Sequence, residues 1–152
     1  MMKIKFQKAH MNVAEVYSKL SSAERLQVGC VIVKDNTIIG IGYNGMPSGW
    51  SNVCEMEVPD TTSGFNGTST KSVTRPEVLH AESNAIAKLA KSTESGEDAT
   101  MFITCSPCIE CAKLIYQAGI KEVYYAESYR NDDGVNFLSK CKDVIAWKMP
   151  ND

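Results

Sequence analysis

Two short segments of the chain contain the residue types of a metal site that could activate water. His80 and Glu82 lie in the first segment, and Cys108 and Cys111 form a Cys-x-x-Cys pair that begins 26 positions after Glu82. A structural zinc site is normally closed by four protein ligands, whereas a catalytic one keeps three and leaves a position for a water molecule that the metal acidifies. These residues therefore predict one catalytic Zn²⁺ per chain, with His80, Cys108 and Cys111 as ligands and Glu82 as a catalytic carboxylate.

Regular elements on both sides of these segments would have to bring them together. Apolar residues recur with a helical period over 6–20, and two β-branched runs at 28–33 and 37–42 are separated by a Lys-Asp-Asn turn. From position 78 onward the pattern alternates between helix and strand. The predicted elements there are a helix over 78–91, a strand over 100–104, a helix over 108–118, a strand over 121–126, a weaker helix over 135–141 and an apolar run at 144–147.

The order of these elements predicts the fold class. A β-hairpin followed by strand-helix-strand units gives a mixed sheet with a parallel portion, and helices on both faces make it a three-layer α/β/α sandwich. Helices that follow parallel strands begin at one edge of the sheet, which is where α/β proteins bind ligands. We therefore expect the His80 segment and the Cys108 segment to meet at that edge.

The segment from 44 to about 76 has a different character. It is rich in Gly, Ser, Thr, Asn and Pro and has little periodicity, which in a compact domain is typical of a functional loop or a partly disordered segment. No internal repeat or linker divides the chain. We expect a single domain over 1–152 with a loop insertion at about 44–76 beside a binding site.

Composition narrows the classes of partner. The 152 residues carry 16 basic and 18 acidic side chains, for a formal charge of −2, and no run of Lys or Arg could follow a nucleic-acid backbone. A free small molecule is therefore the expected substrate, with neither a nucleic-acid polymer nor a membrane as partner. The six cysteines are irregularly spaced and the first residues lack the apolar stretch of a signal peptide, which predicts a cytoplasmic protein with reduced thiols.

Two other interpretations of the metal-site residues stay open at this level. Cys105 extends the pair to Cys105-x-x-Cys108-x-x-Cys111, so together with His80 it could close a structural Cys₃His zinc site. That arrangement would leave Glu82 without a role, and Cys105 comes at the end of a predicted strand rather than on the helix of the pair. Alternatively, His80 is a core histidine and Glu82 is a solvated helix residue.

The same residues carry a family resemblance. His-x-Glu followed by Pro-Cys-x-x-Cys is the signature of zinc-dependent nucleobase deaminases. Within that superfamily, the sequences HAESNA at 80–85, TCSPC at 104–108 and GYNGMPSG at 42–49 resemble the deoxycytidylate (dCMP) deaminase family, over a region from the first helix to about Tyr129. Cytidine deaminases and tRNA adenosine deaminases share the zinc motif, so the glycine loop at 42–49 and the long insertion after it are what indicate dCMP.

The resemblance implies a cytidine deaminase-like fold and the hydrolytic deamination of dCMP to dUMP with release of ammonia. It implies that Glu82 takes a proton from the activated water and returns protons to N3 and to the departing amine. The Ala81 N–H would face the pyrimidine O2, and the Ser106 carbonyl would accept from the amine. Asn44 matches a residue that hydrogen-bonds the sugar. Tyr129 matches one that packs over the nucleotide, although ordinary packing is an alternative for it.

The resemblance also implies regulation, because many dCMP deaminases are hexamers that dCTP activates and dTTP inhibits, with Mg²⁺ as a possible companion of the triphosphate. The expected effector site uses the glycine loop, although a plain turn at the end of a strand is the alternative. The candidate residues are Glu24, Gly42, Tyr43, Asn44, Gly45, Met46, Phe65 and Lys91. Some family members hold a second zinc in the insertion, but here Cys54 lacks a companion, since the only histidines are His10 and His80.

Phosphate contacts and the substrate range stay open. Arg25, Arg75 and Arg130 are candidates for the phosphate, and each could equally be a solvated charge. The alternatives to a dCMP deaminase are a dual dCMP/dCTP deaminase, a deaminase of bases in RNA or DNA, and a structural Cys₃His zinc module.

Overall fold

A computed structural model of the chain describes residues 1–62 and 69–150, and the described residues form four helices and seven strands. In chain order the elements are α1 (Ile4–Ser18), β1 (Gly29–Lys34), β2 (Thr37–Tyr43), β3 (Glu55–Pro59), β4 (Thr70–Thr74), α2 (Ala81–Leu89), β5 (Thr100–Cys105), α3 (Ile109–Gln117), β6 (Glu122–Glu127), α4 (Asp133–Lys140) and β7 (Ile145–Lys148). None of these four helices is long and apolar enough to cross a membrane.

The main sheet has five strands in the order β2-β1-β5-β6-β7. Strand β1 is antiparallel to both of its neighbours, with Val31 opposite Ile41 on one side and opposite Phe102 on the other. Strands β5, β6 and β7 are parallel to one another, so β2 also runs in their direction. The C-terminal ends of β2, β5 and β6 therefore share one edge of the sheet, and α2 and α3 begin there.

Helices cover both faces of this sheet. On one face, α1 packs through Met11 and Ala14 against a layer that includes Val31 and Phe102. On the other face, α2, α3 and α4 enclose the larger core, to which β1 contributes Ile32. Neighbouring residues such as Val31 and Ile32 enter different layers because successive strand residues point to opposite faces. The predicted three-layer α/β/α sandwich, with its N-terminal hairpin and parallel crossovers, is confirmed.

Helices α2 and α3 begin later than the sequence pattern indicates, and both differences concern the metal-site residues. Helix α2 begins at Ala81 rather than at 78, because Leu79 is held in an extended pairing in which its N–H and carbonyl hydrogen-bond to Gly45. Helix α3 begins one residue after Cys108. His80 and Cys108 are consequently the N-cap residues of α2 and α3, and not residues of their first turns.

The segment predicted as an irregular insertion contains a second, two-stranded sheet. Strands β3 and β4 pair antiparallel from Glu55 opposite Thr74 to Pro59 opposite Thr70. Each of their side chains is exposed or half-buried, so the hydrophobic alternation that reveals a strand is weak here. Phe65, one of the residues predicted for an effector site, lies outside the described residues.

Candidate active site

The two segments predicted to form a metal site meet at the sheet edge where α2 and α3 begin. His80 Nδ1 lies 3.6 Å from Cys108 Sγ and 3.3 Å from Cys111 Sγ. The three ligand atoms are all within 4.8 Å of one another, and in residues 1–62 and 69–150 no other group of three potential ligands is so close. One histidine and two cysteines are thus placed to share one ion.

The chemistry and spacing of this donor set fit a zinc ion. With bonds of about 2.0 Å to nitrogen and about 2.3 Å to sulfur, tetrahedral zinc separates its nitrogen and sulfur ligands by roughly 3.5 Å. The nitrogen-to-sulfur distances of 3.3 and 3.6 Å agree with that separation. Cys105, which could have closed a structural site, is buried at the end of β5 and does not join the group. Three protein ligands leave the fourth zinc position for water.

Hydrogen bonds within the cluster favour a thiolate at Cys108. The pKa of this thiol is lowered to about 3, first because the Cys111 side chain hydrogen-bonds to its sulfur and then because His80 and the Cys111 backbone N–H do so. The Cys111 N–H lies 3.5 Å from this sulfur, which caps α3. The pKa of Cys111 is raised, first by its hydrogen bond to Cys108, so this thiol would release its proton on metal binding.

Glu82 is a buried carboxyl group beside the cluster. Only 5% of the residue is exposed, and burial raises the pKa of the carboxyl group to about 7. A cation held by the neighbouring ligands would oppose this shift, because nearby positive charge favours the carboxylate. A buried carboxyl group that lines the cavity beside the ligand group is placed where a general base and acid must be.

A cavity of about 310 Å³ adjoins the cluster, and its volume is within the range of small-molecule sites. His80, Cys108 and Glu82 line it, together with backbone and side chains from the segment after α1, the end of β2, the insertion hairpin and the loops after β5 and β6. The predicted substrate-contact residues that line the same cavity are Asn44, Ala81, Ser106 and Tyr129. The structure therefore brings the metal cluster and these four residues together.

Ser106 joins the loops after β5 and β6 at the cavity wall. Its backbone N–H donates to the Glu127 carbonyl at 2.8 Å, and its hydroxyl accepts from the Tyr129 N–H at 2.7 Å. The residue is 3% exposed. The hydroxyl therefore fixes the position of the Tyr129 backbone, a role that could not be predicted because it depends on a contact between two separate loops.

Asn44 has a structural role besides its predicted contact with the sugar. Its Oδ1 accepts from the Val28 N–H at 2.8 Å, and its Nδ2 donates to the Leu26 carbonyl at 2.8 Å. These two bonds brace the irregular segment between α1 and β1 against the end of β2. One amide hydrogen and further acceptor capacity of Asn44 are left for a ligand.

An added side chain would have different consequences at two glycines of the 42–49 loop. A Cβ on Gly42 would lie 2.1 Å from the Ala81 carbonyl oxygen, so glycine at this position permits the close packing of β2 against α2. A Cβ on Gly45 would meet no atom within 4 Å. Packing of helix on sheet therefore explains Gly42 without the close approach of a nucleotide.

Of the other described residues predicted for an effector site, Lys91 alone lies far from the glycine loop. Tyr43 ends β2, Glu24 lies exposed in the segment after α1, and Met46 packs against a small satellite core. Lys91 follows the last turn of α2, roughly 15 Å along the helix axis from His80. Lys91 is thus separated from the glycine loop, which pairs with the residue before His80.

Replacing Gly42 by alanine is expected to destabilise the fold by about 3 kcal/mol, because the new Cβ would overlap the Ala81 carbonyl and force two packed elements apart. Gly45→Ala is the matched control, since its Cβ would enter open space. Urea unfolding followed by circular dichroism compares both variants with the unaltered protein. Equal stability of the two variants would show that this contact does not require glycine at position 42.

One residue of the insertion hairpin lines the cavity and another binds a segment that lines it, and no local pattern marks either residue. Thr74 lines the cavity. Glu55, its partner across the hairpin, accepts hydrogen bonds from the backbone N–H groups of Glu24 and Arg25. Of the three arginines considered for phosphate binding, Arg25 and Arg130 line the cavity, whereas Arg75 donates from Nε to the Glu55 carbonyl at 3.2 Å.

Comparison with known protein sequences agrees with this arrangement. The sequence model of the cytidine and deoxycytidylate deaminase zinc-binding region matches residues 4–127. Deoxycytidylate deaminase of Homo sapiens is 39% identical over 152 aligned residues, covering 89% of this chain and 81% of the human protein. Deoxycytidylate deaminase of Enterobacteria phage T4 is 31% identical over 170 aligned residues, covering 92% of this chain and 88% of the phage protein.

Comparison with solved structures agrees as well. The dCMP deaminase from the cyanophage S-TIM5, solved in complex with dCMP and dUMP, superimposes with a TM-score of 0.83 and 41% identity. The superposition covers 98% of this chain and 100% of the cyanophage chain. With a family match over most of its length and relatives above 30% identity, this chain belongs to the cytidine and deoxycytidylate deaminase family.

Proposed function

We propose that this protein catalyses the hydrolytic deamination of dCMP, in which dCMP and water give dUMP and ammonia. The observation that carries the proposal is the convergence of His80, Cys108 and Cys111 with the buried carboxyl group of Glu82 beside one cavity. Similar proteins named deoxycytidylate deaminase, and a similar structure solved with dCMP and dUMP, support the choice of nucleotide.

Glu82 accounts for the proton transfers of this reaction. Zinc held by the three ligands would lower the pKa of a water molecule and so supply the nucleophile for C4 of the cytosine ring. The Glu82 carboxylate takes one proton of that water and passes it to N3, and it then passes the second proton to the amine. The C4–N bond breaks as the new C4 carbonyl forms, so ammonia leaves and uracil remains.

Backbone groups at the cavity would orient the base. Ala81 is the first residue of α2, where N–H groups have no acceptor within the helix, so its N–H is free to donate to the pyrimidine O2. The Ser106 carbonyl would accept from the amine. The remaining amide hydrogen of Asn44 would donate to the sugar, and the Tyr129 ring would pack over the nucleotide.

Two arginines at the cavity suit the 5′-phosphate. Arg25 comes from the segment after α1 and Arg130 from the loop after β6, so two separate parts of the chain each place an arginine at the cavity. Guanidinium groups donate paired hydrogen bonds to phosphate oxygens. We assign phosphate binding to Arg25 and Arg130, which would favour the nucleotide over the nucleoside.

Regulation forms a separate part of the proposal. The proposed protein is a cytoplasmic homo-hexamer with an effector site at the glycine loop. At that site dCTP, bound with Mg²⁺, activates the enzyme and dTTP inhibits it. The support for this part is the resemblance of the 42–49 loop to the family and the exposure of Tyr43 in that loop and of Glu24 in the segment after α1. Lys91 would take part only if a neighbouring subunit presented it, because it lies at the other end of α2.

An ammonia-release assay over dCMP, dCTP, CMP, deoxycytidine and adenosine tests the substrate, and dCTP or dTTP added to the dCMP titration tests regulation. We expect the highest kcat/KM with dCMP, and a sigmoidal curve that dCTP makes hyperbolic and dTTP moves to higher dCMP concentrations. A higher kcat/KM with dCTP would indicate the dual deaminase, and preferred turnover of adenosine would contradict the proposal. Curves that neither effector changes would refute the regulatory part alone.

A further inference from the structure

The side chain of Glu55 connects the insertion hairpin with the wall of the cavity. One carboxylate oxygen, Oε1, accepts from the Glu24 N–H at 2.9 Å and from the Arg25 N–H at 3.1 Å. Both N–H groups belong to the segment between α1 and β1, which lines the cavity with Ala23, Arg25 and Leu26. Hydrogen bonds to a carboxylate are about twice as strong as those between neutral groups.

The segment that Glu55 holds has no regular secondary structure, so its shape depends on a few tethers. Residues 19–28 lie between helix and strand. At one end, Gln27 donates from Nε2 to the Ser21 carbonyl at 2.8 Å, and Asn44 binds the backbone of Leu26. At Arg25 itself, the backbone N–H donates a hydrogen bond to the Glu55 carboxylate. The direction in which the Arg25 side chain leaves the backbone therefore depends on this carboxylate.

Glu55 is itself fixed by the root of the hairpin. It is the first residue of β3 and pairs with Thr74 of β4, which lines the cavity. Arg75 donates from Nε to the Glu55 carbonyl and from its backbone N–H to the Cys54 carbonyl, at 3.2 and 2.8 Å. Cys54 is fully buried. The hairpin root is therefore anchored well enough to hold another segment in place.

We propose that Glu55 is a positioning residue that holds Arg25 against the cavity, so that the insertion hairpin sets how tightly a nucleotide monophosphate binds. Glu55 has no place among the groups that move protons or bind the base. Its effect passes through the backbone of Glu24 and Arg25 to the guanidinium group. This inference rests on the proposed function, because it assumes that the substrate carries the phosphate which Arg25 binds.

Replacing Glu55 by alanine is expected to raise KM for dCMP about tenfold, since the Glu24 and Arg25 N–H groups would lose a charged acceptor and Arg25 would no longer be held in place. We expect kcat to stay within about twofold, and kcat/KM for deoxycytidine, which has no phosphate, to be unchanged. Glu55→Gln should restore most of the affinity because its carbonyl oxygen still accepts. The control is Glu57→Ala on the same strand, whose carboxylate accepts only from Thr70 Oγ1 among the bonds described at this hairpin.

A double-mutant cycle with Arg25→Ala separates positioning from general damage. If Glu55 acts through Arg25, the double variant should have the same KM for dCMP as Arg25→Ala alone. The inference would be overturned if the two substitutions raised KM for dCMP additively, or if Glu55→Ala lowered kcat/KM equally for deoxycytidine. It would also be overturned if lower zinc content or a lower melting temperature accounted for the loss of affinity. An unchanged KM in Glu55→Ala would overturn this inference and leave the proposed function intact. An unaltered protein that releases no ammonia from dCMP would instead refute the proposed function, and this inference with it.

Discussion

Replacing Glu82 by glutamine is expected to lower kcat for dCMP deamination by about 10²- to 10⁴-fold, near the upper end, because one carboxylate serves both as base and as acid. Glutamine keeps the shape and the buried position but neither accepts a proton from water nor donates one to N3. Zinc content should stay at one ion per chain, since Glu82 does not belong to the ligand group. Ammonia release and metal analysis on the same preparation measure both quantities.

The control for this substitution is Glu110→Gln. Glu110 is in the first turn of α3, next to Cys111, but it is exposed and pairs with Lys113 at 2.8 Å on the protein surface. We expect it to change kcat less than about twofold, because exposed ion pairs contribute little. Near-normal turnover in Glu82→Gln would rule out the assigned proton transfers. Loss of zinc in that variant would instead make Glu82 part of the metal site.

Replacing Cys111 by alanine is expected to remove zinc and with it at least about 10³-fold of the activity, because only His80 and Cys108 would remain as ligands. In the presence of zinc, the variant should melt at a lower temperature than the unaltered protein, since a ligand that binds only the folded state stabilises that state. Metal analysis, ammonia release and thermal unfolding with and without a chelator measure these changes.

Cys105→Ala is the matched control for the metal site, since Cys105 is also a buried thiol close to the cavity. We expect this variant to keep one zinc per chain and the chelator-sensitive melting temperature of the unaltered protein. Loss of zinc from Cys105→Ala, with zinc retained in Cys111→Ala, would favour a different ligand set. Equal loss from both variants would revive the structural Cys₃His site.

The elements that carry the metal cluster could be predicted from local patterns. Helices and strands show periods of 3.6 and 2 in the sequence, and these periods depend on neighbouring residues rather than on distant contacts. Helix ends can also be local features: Gly119 follows the C-cap of α3 with a φ of +80°, a conformation that favours glycine. The start of α2 was predicted wrongly, since the pairing of Leu79 with Gly45 joins residues far apart in the sequence.

The sequence by itself determined the candidate zinc ligands of this protein, because ligand type and spacing are local properties and the order of elements brings the two halves to one sheet edge. Only the tertiary structure decided which contacts hold the walls of the cavity in place. Asn44 braces a loop, Ser106 holds Tyr129, and Glu55 holds Arg25 through contacts that span 16 to 30 positions of the chain. Each of these roles depends on where separate segments pack against one another, and no local pattern contains that information.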